Sequence, residues 1–402
     1  MTTQALAPLE RVSILPWRIA VFALFSSNGL AVGTWASRTP AIADDLGLGL
    51  GQMGLLITAI PLGALLGLFA TSHVLERFGE RRTAVVAQIV GQLAFASFGL
   101  NAVLTGHAVL GAPLLVLYGA GLATTNIVIN LEAASSDRTS GRTLMPMFHA
   151  AFSIGAVVGA GLGAFAIAGN LSVGVHFPIL ASFILLVTLV VVRFLPELRD
   201  VHTTTPSFAE RMRVWVEPRT LLIGLIVLAA SFTEGTANNW LSLAMVNGRA
   251  WDPAAGAATV TVFAAAMVVG RVFGGPFVDR FGRVIALRTV FTLAGAGVLV
   301  VTLVDAELAT FAGVALWGLG ASLGYPLGIS AAADEPRNAP ARVAAVATVA
   351  TISGLLGPTV IGVLGEVFGL PQAFVVVAVL AVAALLVAGA ARAPRAGASL
   401  RS

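Results

Sequence analysis

The sequence contains neither cysteine nor lysine, so all 23 of its basic residues are arginine. Without cysteine, disulfides, thiol nucleophiles and cysteine-ligated metals are excluded. Charge of either sign is scarce: Asp, Glu and Arg together make up 10% of 402 residues, against about 25% in a typical water-soluble domain. A soluble surface built from this chain would expose large apolar patches. The five histidines (His73, His107, His149, His176, His202) are scattered, with no metal-ligand spacing. No phosphate-cradling loop or nucleophile constellation appears either, so the expectation is neither an enzyme nor a protein with a resident metal or cofactor.

Apolar residues fill the space that charge leaves. Hydrophobic residues occupy 57% of positions and the mean hydropathy is +0.94. A helix that crosses the hydrocarbon needs roughly 20 mostly apolar residues. Such runs fall at 17–37, 51–71, 83–103, 110–132, 145–168 and 174–195, then at 219–241, 254–274, 285–304, 308–330, 343–365 and 371–391. The polar stretch Pro196 to Pro218 separates the two sets. The first run is followed by Trp35, Arg38 and Pro40 rather than by a small-residue cleavage site, so it reads as a membrane helix and not a removable signal. The expected organisation is an all-α membrane protein: twelve transmembrane helices in two six-helix bundles (1–195 and 219–402), joined by a linker (196–218).

The arginines orient this map, because loops on the cytoplasmic side are enriched in positive charge. With the N-terminus inside, Arg11, Arg18, Arg77, Arg81, Arg82, Arg138 and Arg142 fall on inner segments of the first half. Arg193, Arg199, Arg211, Arg213 and Arg219 border the linker. Arg271, Arg280, Arg283, Arg288, Arg337, Arg342, Arg392, Arg395 and Arg401 complete the inner set. Only Arg38 and Arg249 lie outside it. Both termini are therefore expected in the cytoplasm, with the chain in a bacterial inner membrane. Arginines dispersed between apolar runs suit an anionic leaflet and not a nucleic-acid stripe.

The two halves repeat. Glu76-Arg77-Phe78-Gly79 closes the second span and Asp279-Arg280-Phe281-Gly282 closes the eighth; Trp35 and Trp240, and Gly29 and Gly235, stand at nearly the same offset. Paired bundles of this kind suit a transporter that rocks one half against the other. The stretch Gly275-Pro-Phe-Val-Asp279-Arg280-Phe-Gly282-Arg283 resembles the G-x-x-x-D-R-x-G-R signature of the major facilitator superfamily. Ser72 to Arg82 is a weaker copy, with Ser72 and Glu76 in place of Gly and Asp. The resemblance covers essentially the whole chain. It implies gating loops containing Glu76, Arg77, Gly79, Arg81, Gly275, Asp279, Arg280, Gly282 and Arg283. Glycine permits a tight turn there, and the carboxylates can pair with arginine across the bundle interface or lie near a helix N-terminus. Arginines that merely anchor helix ends in the leaflet would look the same. Arg271, four residues ahead of the second signature, is assigned to the same gate.

Trp35-Ala-Ser-Arg38-Thr-Pro40, Asn130-Leu-Glu132, Met145 to Ser153 and Glu234-Gly235…Asn239-Trp240 resemble the fucose-permease-like branch and its rhizopine-transport-like (MosC-like) relatives. That resemblance implies a sugar, polyol or inositol-like substrate. Fucose permeases carry a carboxylate inside the first helix, whereas this chain has Ser26, Ser27 and Asn28.

Ionisable residues inside hydrocarbon cost about 2.5–3.5 kcal/mol even on the mild insertion scale, which makes them the functional candidates. Glu234 lies deep in the seventh span, with Ser231 and Asn238 on the same face and Asn239 beside it. It is a candidate for proton coupling or substrate binding, against a purely structural interhelical bond. Glu132, with Asn126 and Asn130 above it, can approach His149 to form a carboxylate–imidazole site; an ion pair with Arg138 or Arg142 is the alternative. Arg38 is read either as a substrate contact or as neutralised by Asp44 and Asp45. Trp35 and Trp240 suit an interfacial aromatic belt or a cavity wall. Glycines in the fifth span (Gly155, Gly159, Gly161, Gly163) and the eleventh (Gly354, Gly357, Gly362, Gly365) are expected to bring helices close. The expected partners are a small-molecule substrate, protons and the lipid bilayer, and the expected state is a monomer. The functional expectation is proton-coupled alternating access, with drug or metabolite export by proton antiport as the alternative.

Overall fold

The apolar runs fold into helices, several of which run past their expected ends. A computed structural model of the chain describes residues 14–140, 144–196, 213–334 and 339–392. Most of the 196–218 linker lies outside them, as do Arg11, Arg142, Arg199, Arg211, Arg337, Arg395, Arg401 and the side chain of Arg138. Among the described residues, twelve helices are long and apolar enough to cross a membrane. In the first half these are α1 (Ile14–Leu46), α2 (Leu50–Thr71), α3 (His73–Leu104), α4 (Ala108–Asp137), α5 (Met147–Ala168) and α6 (Val173–Phe194). In the second they are α7 (Pro218–Arg249), α8 (Pro253–Phe281), α9 (Arg283–Leu303), α10 (Glu307–Ala332), α11 (Ala341–Phe368) and α12 (Leu370–Ala391).

The signature segments are not loops. Glu76 to Phe78 and Gly275 to Phe281 are helical, and the chain turns only at Gly79 (φ 75°, ψ 169°) and Gly282 (φ 82°, ψ 159°). Both segments stay helical, the second even through Gly275 and Pro276, whereas the backbone angles at Gly79 and Gly282 are open essentially to glycine alone. The two turns mark one face of the molecule, called here the motif face; the opposite one is the far face.

Helices α1 and α5 cross closely because of glycine. A Cβ on Gly29, Gly33, Gly155 or Gly159 would strike the backbone of the partner helix. Gly161 meets nothing, so the expectation of close packing fails at that one position of the α5 run. Aromatic side chains fill the interior: Phe95, Phe98, Tyr118 and Phe177 in the first half, and Phe263, Trp317 and Phe374 in the second.

Trp35 (3% exposed) and Trp240 (0%) belong to this interior and not to an interfacial belt. The physical reason is helix length: α1 runs on to Leu46 and α7 to Arg249, well past the expected ends at 37 and 241. Both tryptophans therefore lie more than two turns inside the helix.

The two arginines that broke the charge rule are held by protein rather than by lipid headgroups. Arg38 donates from Nη2 to the Leu171 carbonyl at 2.6 Å. Arg249 donates to the carbonyls of Val301 and Val304 and to the Thr310 hydroxyl. Arg283 and Arg219 both reach Asp334 (2.9 and 2.7 Å), tying together the motif-face ends of α7, α9 and α10.

Candidate functional site

The bundles meet along α1 against α7 and α8, α2 against α11, and α5 against α8. Toward the far face the seam is pinned by hydrogen bonds. Trp35 Nε1 donates to Asn239 Oδ1 (3.3 Å) and Ser242 Oγ to the Ser37 carbonyl (3.5 Å). The Thr58 and Thr359 hydroxyls share a bond of 3.0 Å, and the Gly51 N–H donates to Glu366 Oε1 at 2.9 Å. Among the described residues, no hydrogen bond or ion pair joins the bundles on the motif-face side of Arg271.

Arg271 is the hub of the seam. Its Nη1 crosses to the other bundle to donate to Ser153 Oγ on α5, and its Nη2 lies 3.5 Å from Glu234 Oε2 on α7. Its Nε points at the Ser322 carbonyl (3.5 Å). That carbonyl is available because α10 breaks at Ser322 and Leu323, between Glu307–Ala321 and Gly324–Ala332. Glu234 and Arg271 are part-exposed (25% and 21% of the side chain), so the pair remains within reach of solute and solvent. Tyr325 lies in electrostatic range of Glu234, and His149 in range of Arg271. Four helices thus aim a carboxylate, a guanidinium, an imidazole and hydroxyls at one level. Such a set can exchange protons and hydrogen-bond a polar solute.

One turn along α7 from Glu234, toward the far face, the side chains of Asn238 and Asn239 line a cavity of about 210 Å³ between the bundles. Trp35, Tyr118, Leu122, Ile57, Pro61 and Pro358 supply most of its wall. The Trp35–Asn239 bond closes it off from the far face. The Tyr118 hydroxyl is buried without a partner, a costly arrangement for a polar group.

The structure redistributes the remaining candidates. Glu132 is fully buried and does not meet His149. Its Oε2 accepts from Trp17 Nε1 at 2.6 Å, and its other side-chain contact is with the Glu80 carboxyl. His149 instead lies edge-on to Phe25, 5.2 Å between ring centroids. Asn130 donates to Asn126 along α4. Asn28 (1% exposed) accepts from Gln88 inside the first bundle, away from the cavity. Arg38 is likewise absent from the cavity wall, and Trp240 is fully buried behind it. Arg271 belongs with Glu234 and not with the signature turn. Of the signature residues, Glu76, Arg77, Gly275, Asp279, Arg280 and Gly282 are exposed, and Gly79 and Arg81 partly so. Arg77 and Arg280 lie over the rings of Phe78 and Phe281 (5.7 and 5.5 Å). Arg283 pairs within its own bundle. Among the described residues, none of these side chains makes a hydrogen bond or ion pair to the opposite bundle.

Sequence reasoning passed over Ser153, Tyr118, Tyr325, Gln88 and Gln92. A hydroxyl or amide in an apolar run costs too little to stand out as an ionisable group does. The i, i+4 pair Gln88 and Gln92 was the one local signal available, and the two side chains do bond (3.3 Å).

Comparison with known proteins agrees with the geometry. The chain is 32% identical to the uncharacterized transporter y4wD of Sinorhizobium fredii over 92% of its length and 96% of that protein. It is 25% identical to the membrane protein MosC of Rhizobium meliloti, over 88% of its length and 85% of that protein. Among solved structures it shares the fold of the E. coli fucose:proton symporter FucP (TM-score 0.66, 16% identity, 95% of this chain and 100% of that one). The family model of the Major Facilitator Superfamily matches residues 19–233 and 223–401, so the chain belongs to that superfamily and is a multi-pass membrane transporter.

Proposed function

We propose that the protein moves a small polar solute across the cytoplasmic membrane by alternating access, coupled to protons, as a monomer with both termini in the cytoplasm. The observation that carries the reading is the Glu234–Arg271 pair. It sits at the middle of the membrane helices, part-exposed, and is joined through Ser153 to the opposite bundle. A solute or proton that engages Glu234 competes with Arg271, the residue whose bond to Ser153 joins the two halves. Binding is thereby linked to which face is open. In this reading the far face is periplasmic and shut, and the motif face is cytoplasmic and open.

The cavity beside the pair combines an indole, a phenol and two amides with apolar walls. Rings that are apolar on their faces and hydroxylated at their edges fit such a lining, which supports a sugar, polyol or inositol-like substrate. FucP, described as a fucose:proton symporter, and the similarity to MosC point the same way.

The test uses proteoliposomes with an imposed proton gradient and a panel of sugars, polyols and cationic drugs. Gradient-driven accumulation of a polyhydroxylated solute is expected. Glu234→Gln should abolish it while leaving counterflow exchange intact. Active transport unchanged in that variant would remove Glu234 from the mechanism, and expulsion of solute would establish an exporter by proton antiport.

A further inference from the structure

The two arginines near the far face differ in one respect. Arg249 finds two carbonyls and a hydroxyl, and Asp305 stands 3.7 Å away. Arg38 is 2% exposed, donates one bond to the Leu171 carbonyl, and has its Nε and Nη1 buried without an acceptor. No described carboxylate lies within 4 Å of it. Asp45 is within electrostatic range but exposed to solvent. On α6, His176 is 6% exposed, lies within electrostatic range of Arg38, and has its Nδ1 buried and unpartnered.

Every uncommitted polar atom here is an N–H or a ring nitrogen able to carry one. A buried guanidinium is costly unless both its charge and its hydrogen bonds are met. Water would satisfy the hydrogen bonds but leave the charge. A small anion satisfies both.

We propose that Arg38 and His176 form a binding site for a small inorganic anion of chloride's size, enclosed at the far-face end of the first bundle. Three elements build it. Helix α1 carries Arg38. Helix α6 carries His176. The turn after α5, with Asn170 at φ 55°, presents the Leu171 carbonyl that accepts from Arg38 Nη2 and holds the guanidinium in place. Gly163 on α5 lets that helix close on Ser37 and Arg38, since a Cβ there would strike Ser37 Oγ. Because Arg38 is almost wholly buried, an occupant must be enclosed with it, which excludes bulky organic anions. Neither residue lines the central cavity, so the site is separate from the proposed transport site. The anion would anchor α1 to α6 close to Trp35 and Ser37, the α1 residues that contact α7 on the far face.

The experiment measures the Tm of the purified protein in potassium chloride and in potassium gluconate at equal ionic strength. A saturable rise of several degrees in chloride and bromide is expected, absent in Arg38→Gln. Crystals grown in bromide should show an anomalous peak between Arg38 and His176. Equal Tm in the two salts, or a chloride effect that survives in Arg38→Gln, overturns the proposal. If Arg38→Gln does not fold, His176→Phe decides. A several-fold weaker chloride midpoint upholds the site, and an unchanged midpoint removes it. Each outcome is independent of whether the protein couples solute to protons.

Discussion

Arg271 and Ser153 bond across the two bundles at the level where those bundles part company. On the motif-face side of it no hydrogen bond or ion pair joins the bundles among the described residues; toward the far face five further hydrogen bonds do. This one contact joins the Glu234 pair to the closed side, and the energetics of the seam can be tested one bond at a time. The natural absence of cysteine makes single-cysteine labelling direct.

Ser153→Ala removes the acceptor for Arg271 Nη1. A hydrogen bond to a charged group contributes about 1.5–3 kcal/mol, so the population open to the far face should rise by roughly 10- to 100-fold. Maleimide labelling of a cysteine placed at Ile57, on the cavity wall, from the far side measures it. An unchanged labelling rate would mean that Arg271 rebonds elsewhere at no cost.

Asn239→Ala breaks the bond that closes the cavity from the far face. The contact is neutral and part-buried, and at about 1 kcal/mol its loss should raise far-side labelling roughly fivefold. Solute affinity should fall as well, since Asn239 also lines the cavity.

Gly79→Ala and Gly282→Ala place a Cβ on backbone angles that only glycine tolerates. Each should destabilise the protein by about 1–3 kcal/mol, read as a lower Tm in detergent. Neither position has a neighbour within 4 Å of such a Cβ, so the loss is conformational and not steric. Gly161→Ala, with equally open surroundings but helical backbone, should cost nothing and serves as the control.

Glu217, just before α7, is subject to opposed effects. Partial burial raises its pKa, but the hydrogen bonds from Arg342 (2.6 Å) and Thr220 (3.0 Å) and the nearby guanidinium charges of Arg342 and Arg213 outweigh it, so the pKa is lowered below its ordinary 4.5. A carboxylate with a depressed folded-state pKa stabilises the fold above its unfolded value, and that contribution fades as pH falls through the folded value. The Tm should therefore be flat in this respect above about pH 5 and decline below pH 4.5. Glu217→Gln should start lower at neutral pH and lose less on acidification. Parallel acid profiles for the two proteins would show that the Arg342 contact contributes nothing.

The sequence by itself determined the solvent, the twelve crossings and the turns at Gly79 and Gly282. Those depend on local properties: the apolar content of a run, and the backbone angles one residue permits. Arg38 and Arg249 stood out as exceptions for the same reason, although only the fold shows what holds them. Tertiary structure alone decided the polar partnerships. Arg271 sits with Glu234 and Ser153, 37 and 118 positions away in the chain. Glu132 faces Trp17 and Glu80 and not His149. The physical reason is that a membrane helix is apolar on its lipid side and on its packed side alike. Its hydropathy therefore fixes that it crosses, but not which way it is turned about its axis. That angle is set by packing, through contacts such as the glycine-lined crossing of α1 and α5, and it decides which buried polar groups meet.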